Sequence, residues 1–238
     1  MQFGKLKLIG TVALLGNTIV LADPHIGYEE ALNKQGIFVP RFQLGEELAE
    51  LRQLAKIKGK FELAIVNGDI KHEFGEISSQ EWKDTIRFLD ALSKLASRTI
   101  LVRGNHDNVL EPIAARKGIE IVDHFLIDDV YITHGHSLPK GRLPIKAKTV
   151  LIAHIHPALS LREGQRVERY KCWLVGSWRR KQLIVQPSFF TIMEGSDVLK
   201  EQDLSPFLQD IRLGSFRAIA VGKKRLYEFG KLGKIGLY

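Results

Sequence analysis

Short apolar runs rich in β-branched residues recur at 18–21, 63–66, 99–102, 130–133 and 149–152, and their length and composition predict buried strands rather than helices. A further run at 12–15 is separated from 18–22 by Gly16-Asn17, the two-residue signature of a tight hairpin. Between these runs the periodicity changes to that of amphipathic helices. Over 41–58, Leu44, Leu48, Leu51 and Ala55 share one face; over 80–95, Trp82, Ile86, Leu89 and Leu92 do the same, and Ser78 with Glu81 has the form of a capping box. A third helix is expected over 108–117, stopped by Gly118. Beyond residue 171 the pattern predicts strands at 173–175, 183–186, 217–221 and 225–229, a hairpin turn at Gly222-Lys223-Lys224 and a short helix begun by Ser205-Pro206. Strands alternating with helices and then following one another predict an α/β fold: a two-sheet β-sandwich flanked by helices. At 238 residues one large domain is expected. Gly195-Ser196-Asp197 is the candidate boundary, with 1–195 as the core and 196–238 as an extension packed on it.

Each of the five runs stops just short of a residue that can bind a cation: Asp23, Asp69, Asn105, His134 and His154. Loops at the C-terminal ends of sheet strands are where α/β proteins build sites, because a rigid sheet fixes several loops at once. The segments are Asp23-Pro24-His25, Gly68-Asp69-Ile70-Lys71-His72, Gly104-Asn105-His106-Asp107, His134-Gly135-His136 and His154-Ile155-His156, and they hold seven of the eight histidines. The acids and Asn105 are oxygen donors of the kind that bind hard or borderline divalent cations, so the set points to ligands for two metal ions. Asp23/His25 and His154/His156 are spaced i, i+2, so in an extended turn both members of a pair can face one cluster. His106 diverges from its neighbour Asn105 and is better placed as an acid. His124 belongs to none of the segments and is expected to be structural or exposed.

The order of these segments resembles the calcineurin-like metallophosphoesterase superfamily, whose signature runs D-x-H, G-D-x-x-D/H, G-N-H-D, a single His, then G-H-x-H; residues 20–160 carry the whole pattern. The strings GDIKHEFG and ADPHIGYE with GIFVP are similar to the small branch related to SbcD-type nucleases, the DNA-ligase-associated phosphoesterases. Pro24 stands where an apolar residue such as Leu is usual, and Ala153 where the last motif usually has Gly; neither supplies a ligand. The resemblance implies a dinuclear site in the loops at strand C-terminal ends. It implies Asp69 as the bridge, Asp23, His25 and His156 as the rest of one ligand set, and Asn105, His134 and His154 as the rest of the other. It also implies that His106 meets the substrate and protonates or stabilises the leaving alkoxide, with Asp107 orienting it. His72 and His136 are expected to support ligands rather than to bind. The two divalent ions are expected to be manganese, with iron, zinc or nickel as alternatives.

Two divalent ions outweigh two carboxylates and a bridging hydroxide, and the resulting positive centre suits an anionic phosphate. The expected activity is therefore a phosphodiesterase acting on nucleic acid or a nucleotide-derived diester, by attack of the metal-bridging hydroxide. A phosphomonoesterase or small-molecule phosphodiesterase on the same centre is the alternative within enzymes. A non-catalytic interaction module is the reading from another class, and seven filled ligand positions disfavour it.

Composition narrows the setting. A chain that is 45% hydrophobic and 26% charged, with a mean hydropathy of −0.06, is an ordinary globular protein. The single cysteine, Cys172, excludes an internal disulfide and a cysteine-based zinc ribbon, and fits a reducing cytoplasm. The apolar run 8–22 imitates a secretory signal, but cleavage after Ala22 would strip Asp23 of the strand that holds it. No run of roughly 20 apolar residues is present, so no membrane partner is expected. Nor are there coiled-coil heptads through which a partner ATPase would be recruited.

The net charge is +8, and residues 140–181 hold eleven Lys or Arg against two Glu, a net of +9, so the excess lies in one segment. That segment contains His154 and His156. It is expected to border the metal site and to attract DNA or RNA, with Arg179, Arg180 and Lys181 on the phosphates and Trp173 and Trp178 as stacking surfaces. The competing reading is that the two Trp pack the second sheet and the basic run is a hairpin turn.

Overall fold

The computed structural model describes residues 1–75, 77–201, 205–209 and 211–235. The first sheet has seven strands in sequence order: β1 (Gln2–Phe3), β2 (Leu6–Ile9), β3 (Val12–Leu15), β4 (Thr18–Leu21), β5 (Phe61–Asn67), β6 (Ala96–Val102) and β7 (Glu120–Val122). β1 to β4 pair antiparallel, and Leu15 opposite Thr18 closes the expected Gly16-Asn17 hairpin. β4 to β7 are parallel, which requires crossover connections. These contain α1 (Tyr28–Lys34), α2 (Gln43–Lys58), α3 (Ser79–Leu95) and α4 (Glu111–Lys117).

The second sheet has nine strands: β8 (Phe125–Ile127), β9 (Val130–Ile132), β10 (Thr149–Ile152), β11 (Pro157–Glu163), β12 (Arg166–Trp178), β13 (Lys181–Val185), β14 (Ser196–Asp197), β15 (Arg217–Val221) and β16 (Leu226–Lys231). Its path is β14-β11-β12-β13-β10-β9-β8, with β15 on β12 and β16 on β15. β9, β10 and β13 are mutually parallel, so the strands that lead to His134 and His154 point the same way.

Side-chain alternation divides the core into three layers. Val20, Leu63, Ile65, Ile100 and Val102 meet Val130, Ile132, Leu151, Trp173 and Ile184 between the sheets. The alternate residues Ile19, Leu21, Ala64, Val66 and Leu101 face outward onto Leu51 of α2, Phe88, Leu89 and Leu92 of α3, and Ile113 of α4. Val150, Ile152, Leu183 and Val185 form the outer face of the second sheet. Helices cover the first sheet, as expected, but the second is covered by Phe207, Phe216 and Leu232, which lie outside every α-helix. Burying each of these two phenylalanines contributes on the order of 1.5–3 kcal/mol.

Three local expectations need correction. Ser205-Pro206 begins a turn, not a helix: the Ser205 hydroxyl donates to Gly135 O (2.7 Å) and accepts from Phe207 N–H (3.2 Å). The capping box is half formed. Ser78 Oγ accepts from Glu81 N–H at 3.0 Å, but the Glu81 carboxylate turns away to the loop before the helix, where it accepts from His72 and Glu73. The third helix starts at Glu111 rather than 108, because the preceding residues form the turns that carry Asn105, His106 and Asp107.

Candidate metal centre

The loops after β4, β5, β6, β9 and β10 converge at one end of the sandwich. Asp23 N–H donates to Gly68 O (3.2 Å), and His25 N–H to Asp69 O (3.0 Å), which ties the first two loops together. Asp23 is fully buried and spans both sheets: its Oδ1 lies 2.9 Å from His134 Nε2, and its Oδ2 accepts from His154 N–H at 3.1 Å and lies 3.5 Å from His156 Nε2. Asp69 Oδ2 stands 3.4 Å from His134 Nε2 and 3.8 Å from both His25 Nε2 and His106 Nε2. Its other oxygen accepts from His106 N–H (2.9 Å).

Five of the seven expected ligands have left-handed backbones: Asp23 (φ 48°), His25 (47°), Asp69 (44°), His154 (70°) and His156 (44°). Such a residue costs on the order of 1–3 kcal/mol and persists only where its surroundings over-determine it. Here they do. Gln43, at the start of α2, donates from Nε2 to Pro24 O and His25 O, both at 2.9 Å, and Glu29 Oε1 accepts from the Phe42 and Gln43 N–H groups (2.8 and 2.9 Å). A buried carboxylate thus caps the helix, and the helix in turn holds the Asp23–His25 loop.

Two glycines let the loops touch. A Cβ on Gly68 would lie 2.2 Å from His134 Cδ2, and one on Gly104 would lie 2.1 Å from Asp69 Oδ1. Neither neighbour can retreat without leaving the cluster.

The electrostatics follow from burial. It pushes the Asp23 carboxyl well up and raises that of Asp107, and takes Asp69, which also feels the charges of Asp23 and Asp107, to about 9. The same desolvation, with the neighbouring imidazoles, holds His25, His134 and His156 well down and His154 at about 3. Neutral imidazole lone pairs and carboxylates that resist ionising therefore share one pocket, an arrangement that cations satisfy. Donor atoms within 4.8 Å of one another form the groups Asp23, His25, His156 and Asp69, His134, His154, with a third of His25, His72 and His106. Asn105 Oδ1 is buried with no hydrogen-bond partner, as a donor awaiting a cation would be. The residues fit divalent metal ions.

The calcineurin-like phosphoesterase family model matches residues 16–185. The chain belongs to the calcineurin-like phosphoesterase family. Among solved structures, the Pseudomonas putida nuclease MPE is similar over 94% of each chain, with 20% identity and a TM-score of 0.66. YfcE, a phosphoesterase from E. coli, is similar over 88% of this chain and 95% of its own, with 14% identity and a TM-score of 0.43. No curated protein sequence matches this one. At 20% identity the likeness to the nuclease MPE is one of fold. Metal-dependent hydrolysis of phosphoesters is the family's chemistry, and this chain is a phosphoesterase of that kind.

Within this phosphoesterase, His72 and His136 stand behind the ligand candidates. His72 Nδ1 is 3.4 Å from His25 Nδ1, and His136 Nδ1 is 3.0 Å from His134 Nδ1, each on the nitrogen facing away from the carboxylates. His106 donates from Nδ1 to His72 O, which leaves Nε2 directed at the pocket. Asp107 does not orient that ring, contrary to expectation. Its carboxylate accepts from Ile70 N–H (3.0 Å) and Gly104 N–H (2.8 Å), so it braces the Asp69 loop against the Gly104 turn.

The basic run is also elsewhere. Arg179 and Arg180, with φ of 47° and 64°, form the two-residue turn between β12 and β13. β13 runs parallel to β10, with Gln182 beside Thr149 and Val185 beside Ile152. His154 follows the far end of that pairing, so Lys181 lies about six residues back along the sheet, roughly 20 Å at 3.3 Å per residue. Trp173 is buried and donates to Gly10 O (2.8 Å); Trp178 packs on Phe207 and beneath Arg179. The turn reading of this segment is the one the fold adopts, and neither Trp is open to a base.

Several supports had no sequence signal. Gln43 reaches partners 18 and 19 residues away, and its neighbour Glu47 is buried beneath it. Lys71, also fully buried, donates to Glu73 O. Glu81 carried a signal, its spacing from Ser78, but the signal named the wrong partner.

Proposed function

We propose that this phosphoesterase binds two divalent ions and hydrolyses phosphodiesters of nucleic acids or nucleotides. In this reading Asp69 would serve both ions, Asp23, His25 and His156 would hold one, and Asn105, His134 and His154 would hold the other. The observation that carries it is the position of Asp69 Oδ2, within 3.8 Å of His25, His106 and His134 at the junction of the two donor groups. The ions, manganese by preference, supply Lewis acidity and an activated water.

The chain's own residues do the rest. His106 hands its Nε2 proton to the leaving oxygen, and the carbonyl of His72 fixes the tautomer by taking Nδ1–H. Burial lowers the His106 pKa to about 4 in the metal-free protein; bound cations would lower it further, and an anionic phosphate beside it favours the protonated form against both. Alkoxide leaving groups need such an acid and activated aryl esters do not, which is why a diester of unactivated alcohols suits this site better than its fold alone can say. Asp107 and Gln43 hold the loops in register. Residues 196–238 act as an extension of a single catalytic unit working in a reducing cytoplasm, related to the SbcD-like, ligase-associated branch.

The test is turnover by manganese-loaded protein on dinucleotides, oligonucleotides and monoesters, with metal content measured alongside. Diester cleavage at two ions per chain is expected. Hydrolysis confined to monoesters, or full activity with one ion, would overturn the reading.

A further inference from the structure

Beside His106 the pocket wall is aromatic. The Phe74 ring lies against the His106 imidazole, centroid to centroid 3.6 Å with the planes 33° apart, yet it is 56% exposed. The rim continues through His72, which meets the edge of Tyr28 at 4.8 Å, to Phe190, 5.0 Å from Tyr28. Phe74 gains little burial where it stands, but its loop is held firmly. Buried Glu81 accepts from the N–H groups of His72 (2.9 Å) and Glu73 (3.0 Å), buried Lys71 donates to Glu73 O, and His106 donates to His72 O. Two buried charged side chains thus fix the backbone that presents an exposed phenyl ring. Packing alone gives no reason for this expense, whereas a flat hydrophobic ligand does: each nucleobase has a π-face, and stacking on a fixed aromatic ring is indifferent to base identity.

We propose that Phe74 is a positioning residue that stacks the nucleobase on the leaving-group side of the diester and so brings its leaving oxygen to His106. This rests on the phosphodiesterase reading above and narrows its substrate to diesters whose leaving group carries a base. Recognition is by stacking, so the preference is for nucleotides in general over alkyl or abasic diesters, without a sequence requirement.

Thymidylyl-thymidine and an analogue with an abasic tetrahydrofuran on the leaving side separate this role from a general effect on His106. With manganese-loaded protein, Phe74→Ala should lower kcat/KM on the first by about 10- to 100-fold, the range of a lost base stack, and several-fold less on the second. Phe74→Trp should restore the preference. Equal losses on both substrates, or none on either, overturn the proposal. A readout without turnover uses a phosphorothioate-linked dinucleotide with 2-aminopurine as the leaving-side base: wild type and Phe74→Trp should quench its fluorescence, and Phe74→Ala should not. If wild type cleaves neither diester, the phosphodiesterase reading fails by itself, and quenching still decides the stack: absent in wild type, or unchanged in Phe74→Ala, it sinks the proposal.

Discussion

The two ends of the second sheet carry the same backbone anomaly for different reasons. At one end, His154 and His156 are left-handed; at the other, Arg179 and Arg180 are. The arginines form a two-residue hairpin, where positive φ at both positions matches the twist of the strands and both residues are exposed, Arg179 lying over the Trp178 ring. The histidines interrupt no hairpin. Their backbones are held by contacts from the first sheet, such as His154 N–H on Asp23, and their rings join a cluster of buried donors. An unusual φ therefore identifies a site only when distant groups enforce it and the side chains converge.

The sharpest way to break this contrast is at Asp69. Asp69→Asn should abolish both diester turnover and two-ion loading, because it removes charge where both donor groups meet; retention of two ions in elemental analysis would remove Asp69 from the bridge. His106→Gln should come next, lowering turnover of dinucleotides by roughly 10²–10⁴ with metal content intact and by less on an activated aryl diester. Loss of metal instead would make His106 a ligand.

Gln43→Ala tests whether distant enforcement matters. It frees the Pro24 and His25 carbonyls, and metal affinity should fall by about 10- to 100-fold, as for other residues that orient ligands. Unchanged affinity in a titration would mean that the loop keeps its left-handed turns unaided.

Metal removal should expose the electrostatic load of the same end. With Asp69 raised to about 9, well above its unfolded range, its folded form prefers the proton, so the associated stability is full at low pH and declines as pH rises toward 9. The lowered histidines work in the opposite sense, losing stability as pH falls below about 6.5. Between pH 6.5 and about 8, above which buried Lys171 loses its proton and works in the opposite sense, the carboxylate trend dominates, so the Tm of metal-free protein should drop across that window and manganese should flatten it. A flat metal-free profile would contradict the burial argument.

At the other end, the double substitution Arg179→Asn and Arg180→Gly suits the turn better and should raise stability slightly, seen as a small rise in Tm, with small-diester turnover unchanged. Lost turnover would connect the two ends after all.

Much of the fold was legible because it is local. β4, β5, β6, β9 and β10 were visible as short β-branched runs, and α2 and α3 as apolar stripes. Strands such as β2, β7 and β11 and the short helix α1 were not anticipated, since their stability comes from pairing and packing that no local period records. At the site, the donor residues were legible as a set because each follows a strand. Their supports were not: Gln43, Glu47 and Lys71 look like surface residues until the chain folds over them, and Asp107 was given the wrong partner by its proximity to His106.

The sequence by itself determined which residues carry donor atoms, which strands precede them and the family to which the chain belongs, for these depend on residue type and short spacing. Only the tertiary structure decided that Asp107 braces two loops and not a ring, that the basic turn lies a sheet's length from the histidines, and that Phe74 lies open beside His106. Strand direction and loop closure set those relations. A strand of five residues places its two ends about 15 Å apart, so neighbours in sequence can belong to opposite ends of the protein, while Asp23 and His154, 131 residues apart, share a hydrogen bond.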